Sequence, residues 1–251
     1  MGGGATGIGH ATAEQLALAG HQVVITGRRA DVLDAAVARL RERTGGSVRA
    51  LVNDVSEPDA AKAAITEVEN HYGALDILVL NAGGPPPGRI LDIEDEPWRA
   101  GVELLLLGPL RLARLALPRM AARGFGRVVL VTSTAVRQPQ PDLAMSVVLR
   151  SAVTAAAKLL AREFAAEGVT VNCVAPGPTA TERRRQILDS RARATGTGYD
   201  QLDAEDTATV PAGRAGRPEE VGAAVSFLVS SAASYVNGTV LTVDGGRTET
   251  I

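Results

Sequence analysis

The sequence predicts an α/β fold, a doubly wound parallel sheet with helices on both faces, in a single domain over residues 1–251. Three observations predict it: strand-like runs alternate with helical patterns, a glycine-rich loop opens the first helix, and 251 residues suit one α/β domain. The predicted strands are 23–25, 48–52, 77–80, 128–131, 169–174 and 240–243, and the predicted helices lie near 7–20, 30–43, 58–72, 98–123, 143–167 and 218–230.

Each kind of element has its own pattern. The strand runs are short and rich in Val, Ile and Leu, which suits parallel strands buried on both faces. The segments between them repeat apolar residues at the helical period, and glycines such as Gly20 and Gly168 stand just past their ends. The segment 176–212 is the one long connection without a clear strand, so we predict that it forms a lid over a substrate.

The composition argues against several classes of protein. Lys and Arg number 26 against 28 Asp and Glu, and Trp98 is the single tryptophan, so a nucleic-acid partner is not expected. Apolar runs such as Leu104–Leu107 are far too short to span a bilayer. Cys173 stands alone and the three histidines share no metal-ligand spacing, which excludes a disulfide framework and disfavours a metal site. We expect a cytoplasmic protein without a membrane partner.

The glycine-rich loop predicts a site for a dinucleotide. Gly3, Gly7, Ile8 and Gly9 open the first helix, where glycines let the backbone approach a pyrophosphate and the helix N-terminus supplies N–H donors. The spacing alone fits an ordinary glycine turn equally well, so the prediction depends on the rest of the chain.

Further motifs follow in order along the chain: Asp54-Val55, Asn81-Ala82-Gly83, Pro176-Gly177 with Thr181, and Val243-Asp244-Gly245-Gly246. Together they resemble the short-chain dehydrogenase/reductase family. The resemblance covers Gly2 to Gly246 and implies a Rossmann-like NAD(P)-binding domain. It implies that Asp54 and Val55 contact the adenine, that Asn81, Ala82 and Gly83 pack at the cofactor end of the sheet, and that Pro176, Gly177 and Thr181 face the nicotinamide carboxamide.

The end of the second strand of that family pattern indicates which cofactor binds. An NAD-preferring site usually carries a carboxylate there for the ribose 2′-hydroxyl, whereas a basic residue accommodates the 2′-phosphate of NADP. This chain has Gly27 at the acid's position, followed by Arg28 and Arg29. NADP(H) is therefore favoured over NAD, although a solvated turn with two arginines would have the same sequence.

The catalytic positions depart from the family pattern, which has a Tyr-x-x-x-Lys pair, a Ser on the preceding strand and an Asn in an earlier helix. Ser133 matches the serine, whereas Ser146, Arg150 and Leu105 stand at the Tyr, Lys and Asn positions. Ser146 and Arg150 share a helix face as an i, i+4 pair. Arg150 can replace Lys as a cation that binds the ribose, but a serine hydroxyl is a far weaker acid than a phenol.

The source of the proton and the role of the lid are left open by the sequence. The proton could come from Ser146 through water, from Tyr199 in the lid, or from the substrate itself. Residues 182–185 with Arg191 and Arg193 make the lid basic, which fits an anionic substrate such as an acyl thioester of a phosphopantetheine carrier or coenzyme A. A solvated helix face fits the same run.

The resemblance implies reduction of a ketone, such as a 3-oxoacyl group, by NADPH in a homo-tetramer or homodimer. It also implies that this assembly forms through the helices near 98–123 and 143–167 and through the last strand. Two alternatives are open: a non-redox cyclase, dehydratase or isomerase, and a protein without catalytic activity that binds a dinucleotide or ligand.

The family pattern places one more strand before the glycine loop than the printed sequence contains. In the strand order 3-2-1-4-5-6 this first strand lies in the middle of the sheet, and its absence exposes backbone groups of both neighbours. We therefore expect the natural chain to start upstream of Met1.

Overall fold

The computed structural model describes residues 1–250, and its strands confirm the predicted α/β fold with a parallel sheet. The strand predictions at 48–52, 77–80 and 240–243 have the observed bounds, and the other three strands are longer than predicted. The strands are β1 (Val23–Gly27), β2 (Val48–Val52), β3 (Ile77–Leu80), β4 (Gly126–Val131), β5 (Val169–Pro176) and β6 (Val240–Val243).

Nine α-helices occur in residues 1–250, and two regions differ from the prediction. The helix expected over 98–123 is two helices joined by a π-helical turn at Glu103–Leu107. The lid segment 176–212, predicted only as a long connection, contains two helices. The helices are α1 (Gly7–Leu18), α2 (Ala30–Thr44), α3 (Ala60–Tyr72), α4 (Asp95–Val102), α5 (Gly108–Ala122), α6 (Ala144–Glu163), α7 (Glu182–Thr195), α8 (Tyr199–Ala208) and α9 (Pro218–Val229).

Two apolar layers cover the sheet, one on each face. Along β3, Val79 packs into the layer that includes α1, α2 and α9, whereas Leu78 and Leu80 pack into the layer that includes α3, α5 and α6. This alternation follows from the pleat of a strand, which sends successive side chains to opposite faces. Cys173 of β5 is 1% exposed within the second layer, which confirms its prediction as a core residue.

The sheet is divided into two parts, β1-β2 and β3-β4-β5-β6, and within residues 1–250 no strand joins β1 to β3. The first residues of the chain cross this gap at the carboxyl ends of the neighbouring strands. The amine of Met1 donates to the Val24 carbonyl at 2.9 Å, and the amide of Gly2 donates to the Val79 carbonyl at 3.0 Å. The gap lies where the family pattern expects its first strand.

Helix α6 is long and apolar enough to cross a membrane, with a mean hydropathy of 1.4. The core helix of a globular protein passes the same test. Here Val153 and Ala157 of α6 are buried against the sheet, and Arg150 on the same helix donates a hydrogen bond to the carbonyl of Val131 in β4. These contacts are those of a core helix.

Candidate active site at the carboxyl edge of the sheet

The glycine loop lies at the carboxyl edge of the sheet and has almost no room for side chains. A Cβ at Gly9 would lie 2.0 Å from the carbonyl oxygen of Gly3, and Gly7 has a φ of +53° and contacts Thr181. The side-chain amide of Asn81 donates to the Gly2 carbonyl at 3.2 Å. The loop, the end of β3 and the start of the lid therefore meet at one place.

A cavity of about 1000 Å³ opens at this edge and continues into the gap between β1 and β3. Part of its volume therefore belongs to the gap. The residues predicted to bind the cofactor line it, and so do the predicted catalytic residues Ser133, Ser146 and Arg150. They are Gly3, Gly7, Ile8, Gly9, Arg28, Arg29, Asp54, Val55, Asn81, Ala82, Gly83, Ser133, Ser146, Arg150, Pro176, Gly177 and Thr181.

Ser146 and Arg150 form a fixed pair beneath the cavity. Arg150 Nε donates to Ser146 Oγ at 3.2 Å, and Arg150 Nη1 donates to the carbonyl of Val131 at the end of β4 at 2.7 Å. Ser146 is 9% exposed. Burial lowers the pKa of Arg150 to about 10, with a smaller contribution from the charge of Arg183. Because that value is well above neutral pH, Arg150 is a cation at the site.

Ser133 follows β4 and lines the same cavity. Its Oγ accepts a hydrogen bond from the amide of Ala135 at 3.2 Å and begins a short 3₁₀ turn. Leu105 lies in the π-helical turn, is 3% exposed, and packs with Met145 and Leu149 of α6. The position that carries Asn in the family pattern is therefore occupied here by a buried apolar side chain.

The adenosine end of the cavity is basic at the surface. Arg28 and Arg29 follow β1 and are exposed. Asp54 also lines this end, where its Oδ1 accepts hydrogen bonds from the amide and the hydroxyl of Ser56 at 3.1 and 2.6 Å. A cation that is free to move toward a ligand suits a phosphate at the ribose 2′ position.

A family model described as enoyl-(acyl carrier protein) reductase matches residues 3–248. The dehydrogenase/reductase SDR family member 4 of Bos taurus is 34% identical over 241 residues, which cover 96% of this chain and 83% of the relative. The chain belongs to the short-chain dehydrogenase/reductase family. A further member, the 3-oxoacyl-[acyl-carrier-protein] reductase of Vibrio cholerae, is 32% identical and covers 97% of this chain and 94% of its own.

Solved structures of short-chain dehydrogenases/reductases match the whole fold. A single-residue variant of the actinorhodin polyketide ketoreductase, with NADPH, has a TM-score of 0.95 at 31% identity, covering 99% of this chain and 96% of its own. The L-sorbose reductase of Gluconobacter frateurii, complexed with NADPH and L-sorbose, has a TM-score of 0.93 at 32% identity, with 100% and 96% covered. Both neighbours hold the cofactor that the sequence predicts for this chain.

The structure does not bring Tyr199 to the short-chain dehydrogenase/reductase site. This tyrosine begins α8, lies outside the cavity lining, and has the guanidinium of Arg185 5.9 Å from its ring centroid. A Tyr199 proton donor therefore has no support in the geometry. Ser146, in contrast, lines the same cavity as Ser133.

The sequence predicted a single basic lid, but the arginines of the lid differ in their surroundings. Arg185 and Arg193 are exposed, as a solvated helix face predicts, and Arg184 is paired with Asp206. Arg183 lines the cavity, as Arg184 and Arg191 also do, but its guanidinium donates to the carbonyl of Pro85 instead of to a carboxylate. Its position two residues past Thr181, in the first turn of a helix that starts at the cofactor site, was the available signal.

Proposed function

We propose that the protein is an NADP(H)-dependent reductase of a ketone, with an atypical active site in which Ser146 and Arg150 replace the family's Tyr and Lys. One observation carries the proposal: the Ser146–Arg150 pair and Ser133 line the same cavity as the glycine loop. The two NADPH complexes among the related structures and the 3-oxoacyl reductase relative support this reaction class.

The residues present fit an NADP(H) molecule. A Cβ at Gly9 would strike the backbone of Gly3, so the loop is built for close backbone packing at the start of α1. Arg28 and Arg29 would hold the 2′-phosphate, and Arg150 would donate to the hydroxyls of the nicotinamide ribose. When bound, NADPH supplies a hydride to the carbonyl carbon and leaves as NADP⁺, and one proton completes the alcohol.

Two side chains would act on the substrate. Ser133 has its acceptor side engaged by Ala135, so its hydroxyl hydrogen is available to the carbonyl oxygen. Ser146 accepts from Arg150, so its hydroxyl hydrogen also faces the cavity and can bind the same oxygen or a water. Because a serine hydroxyl is a much weaker acid than a phenol, the proton would reach the oxygen from water held at Ser146.

The proposal is tested by following the loss of NADPH against a panel of ketones, including 3-oxoacyl thioesters. We expect slow oxidation that Ser133→Ala abolishes. The double substitution Ser146→Tyr with Arg150→Lys restores a general acid and should raise turnover by about 10²-fold. Ser151→Ala, on the same helix but outside the cavity lining, serves as the control and should leave turnover unchanged.

Two other outcomes point to different functions. Binding of NADPH without reduction of any ketone, in the protein and in the folded double variant, would contradict the reductase and favour a binding protein. A change in a ligand while NADPH is unchanged would favour a cyclase, dehydratase or isomerase. The apolar Leu105 and the absence of a phenol at position 146 are the observations that favour this second candidate.

We also propose that the protein forms a homo-oligomer through α5 and α6. Val148 and Leu159 of α6 are 43% and 62% exposed, although both are apolar. Sedimentation velocity of the protein should give a dimer or tetramer, and Leu159→Glu should shift it toward the monomer. A monomer at all concentrations would overturn this proposal.

A further inference from the structure

Two partly buried arginines line the active-site cavity without a carboxylate partner. Among residues 1–250, neither Arg150 nor Arg183 forms an ion pair. Other arginines of the lid region are neutralised: Arg184 and Arg191 both contact Asp206, and Arg191 also contacts Asp142. The lid therefore has acids close at hand, yet in residues 1–250 none of them forms an ion pair with Arg183.

Arg183 lies where an unpaired cation is unfavourable. It is in the first turn of α7, and the N-terminal end of a helix carries a positive partial charge. Burial lowers the pKa of Arg183, and its charge in turn lowers the pKa of Arg150. An anion between the two guanidinium groups would relieve both the repulsion and the desolvation.

The backbone holds Arg183 in this orientation. Its Nη2 donates to the carbonyl of Pro85, and a Cβ at Gly84 would lie 2.5 Å from its Nε, so the guanidinium rests directly on the Gly84 backbone. Any residue other than glycine at position 84 would displace the guanidinium.

The segment on which Arg183 rests leads to the first turn of α6, the helix that carries Ser146. The segment that begins at Gly84 continues to Gly88, whose amide donates to the Asp142 carbonyl at 2.7 Å and whose carbonyl accepts from the amide of Ala144 at 3.2 Å. Arg183 is thus fixed beside the first turn of α6, whereas Arg28 and Arg29 serve the opposite end of the cavity.

We propose that the substrate is an oxo acid whose carboxylate binds between Arg183 and Arg150 while its ketone reaches Ser133. The carboxylate part stands on the arginine geometry, and the ketone part rests on the proposed reductase function. A planar guanidinium fork matches a carboxylate through two parallel hydrogen bonds, which makes arginine the suited residue.

Binding tests the carboxylate directly. The NADP⁺-saturated protein is titrated calorimetrically with straight-chain carboxylates of increasing length and with their methyl esters. We expect the acids to bind more tightly than the esters, and Arg183→Gln to weaken acid binding about tenfold without changing the Kd of NADP⁺. Gly84→Ala keeps the charge of Arg183 but displaces its guanidinium, so it should weaken acid binding to a similar extent. The exposed Arg185→Gln is the matched control and should change nothing.

Kinetics with oxo acids and their methyl esters separates this inference from the reductase proposal. Arg183→Gln should raise KM for the oxo acid about tenfold and leave KM for NADPH and for the ester unchanged. Arg183→Lys, which keeps the charge, should raise KM for the oxo acid less. Reduction of neutral ketones with no preference for oxo acids would overturn the inference and leave the reductase intact. If acid binding depends on Arg183 but NADPH is not oxidised, the reductase proposal is overturned and the proposed carboxylate site stands.

The same variants distinguish a substrate carboxylate from the diphosphate of the cofactor. A Kd for NADP⁺ that rises about tenfold in Arg183→Gln, with acid binding unchanged, would assign Arg183 to the cofactor and overturn the proposal. An unchanged Kd for both ligands would overturn it as well.

Discussion

Arg150, which stands where the family pattern has Lys, holds its positive charge in a different way from a lysine. A lysine ammonium is a flexible point charge, whereas the guanidinium of Arg150 is fixed by bonds to Ser146 Oγ and to the Val131 carbonyl. These bonds join α6 to the end of β4, so the cation keeps its position without a cofactor. Ser146 in turn leaves space where a phenol would stand, which a larger or more polar substrate can use.

We expect the residues at the end of β1 to determine which cofactor binds. A Cβ at Gly27 would come no closer than 3.5 Å to Leu33, so an acid fits there. We expect Gly27→Asp with Arg28→Ala to weaken NADPH binding at least about tenfold and to favour NADH, because the phosphate loses its cation and the 2′-hydroxyl gains an acceptor. Fluorescence titration of both cofactors measures this.

The control for that experiment is Arg39→Ala, which removes an exposed arginine of α2 outside the cavity lining. If the double variant keeps its preference for NADPH, Arg28 and Arg29 belong to a solvated turn.

Cys173 should be inert while the protein is folded. It is 1% exposed in β5, and burial raises the pKa of its thiol to about 12. Since the thiolate is the reactive form, a thiol reagent should label the native protein hardly at all at pH 8 or 9 and label it fully in denaturant. The raised pKa also means that this residue's contribution to stability is lost as pH rises from about 9 toward 12. Rapid labelling of native protein at pH 8 would contradict the burial.

At the scale of elements, the strands could be predicted and the lid helices could not. Strands such as β3 are continuous apolar runs bounded by polar or glycine residues, so their type and bounds are visible in the sequence. In α7 only Leu188 is buried, and α8 has no buried residue. Neither helix therefore has the apolar period by which helices are recognised. The π-helical turn at Glu103–Leu107 was missed because its residues continue the helical pattern on both sides.

The lid helices are joined by charge instead of by an apolar core. Asp206 of α8 has a side chain only 8% exposed and contacts Arg184 of α7 at 2.9 Å and Arg247 at 3.2 Å. We expect Asp206→Asn to lower the free energy of unfolding by about 1.5–3 kcal/mol, because Arg247 loses its carboxylate and Arg184 and Arg191 each lose one of two. Urea denaturation measures this, and limited proteolysis at Gly196–Gly198 reports the lid locally.

Asp200→Asn is the matched control for the lid, since Asp200 is exposed in the same helix. It should change stability by less than about 0.5 kcal/mol. Equal stability of the Asp206 variant and this control would show that the arginine–aspartate contacts do not hold the lid.

At the scale of the molecule, the two parts of the sheet differ in how fully their backbone is paired. The strands β4 and β5 have hydrogen-bonded neighbours on both sides, and every residue in them is buried. The strand β1 has a strand partner on one side only and meets the Met1–Gly4 segment at its end. The family pattern predicted this gap. The bonds that Met1 and Gly2 make across it could not be foreseen, since they depend on the two sheet edges being held at strand spacing.

Hydrogen exchange should report this difference along the chain. Backbone amides open locally where few partners hold them, so peptides covering 23–27 and 77–80 should exchange faster than those covering 126–131 and 169–176. NADP⁺ would contact the carboxyl ends of both sheet parts, so saturating cofactor should slow exchange in residues 1–9 and 23–27 and leave β5 unchanged. A ligand at 100 times its Kd adds about 2.7 kcal/mol to stability, enough to slow exchange by about 10²-fold where opening exposes the site. Equal protection of β1 and β4 without cofactor would show that the gap is closed in solution. If the exchange rate of the glycine loop does not change when cofactor is added, NADP⁺ does not bind in this cavity.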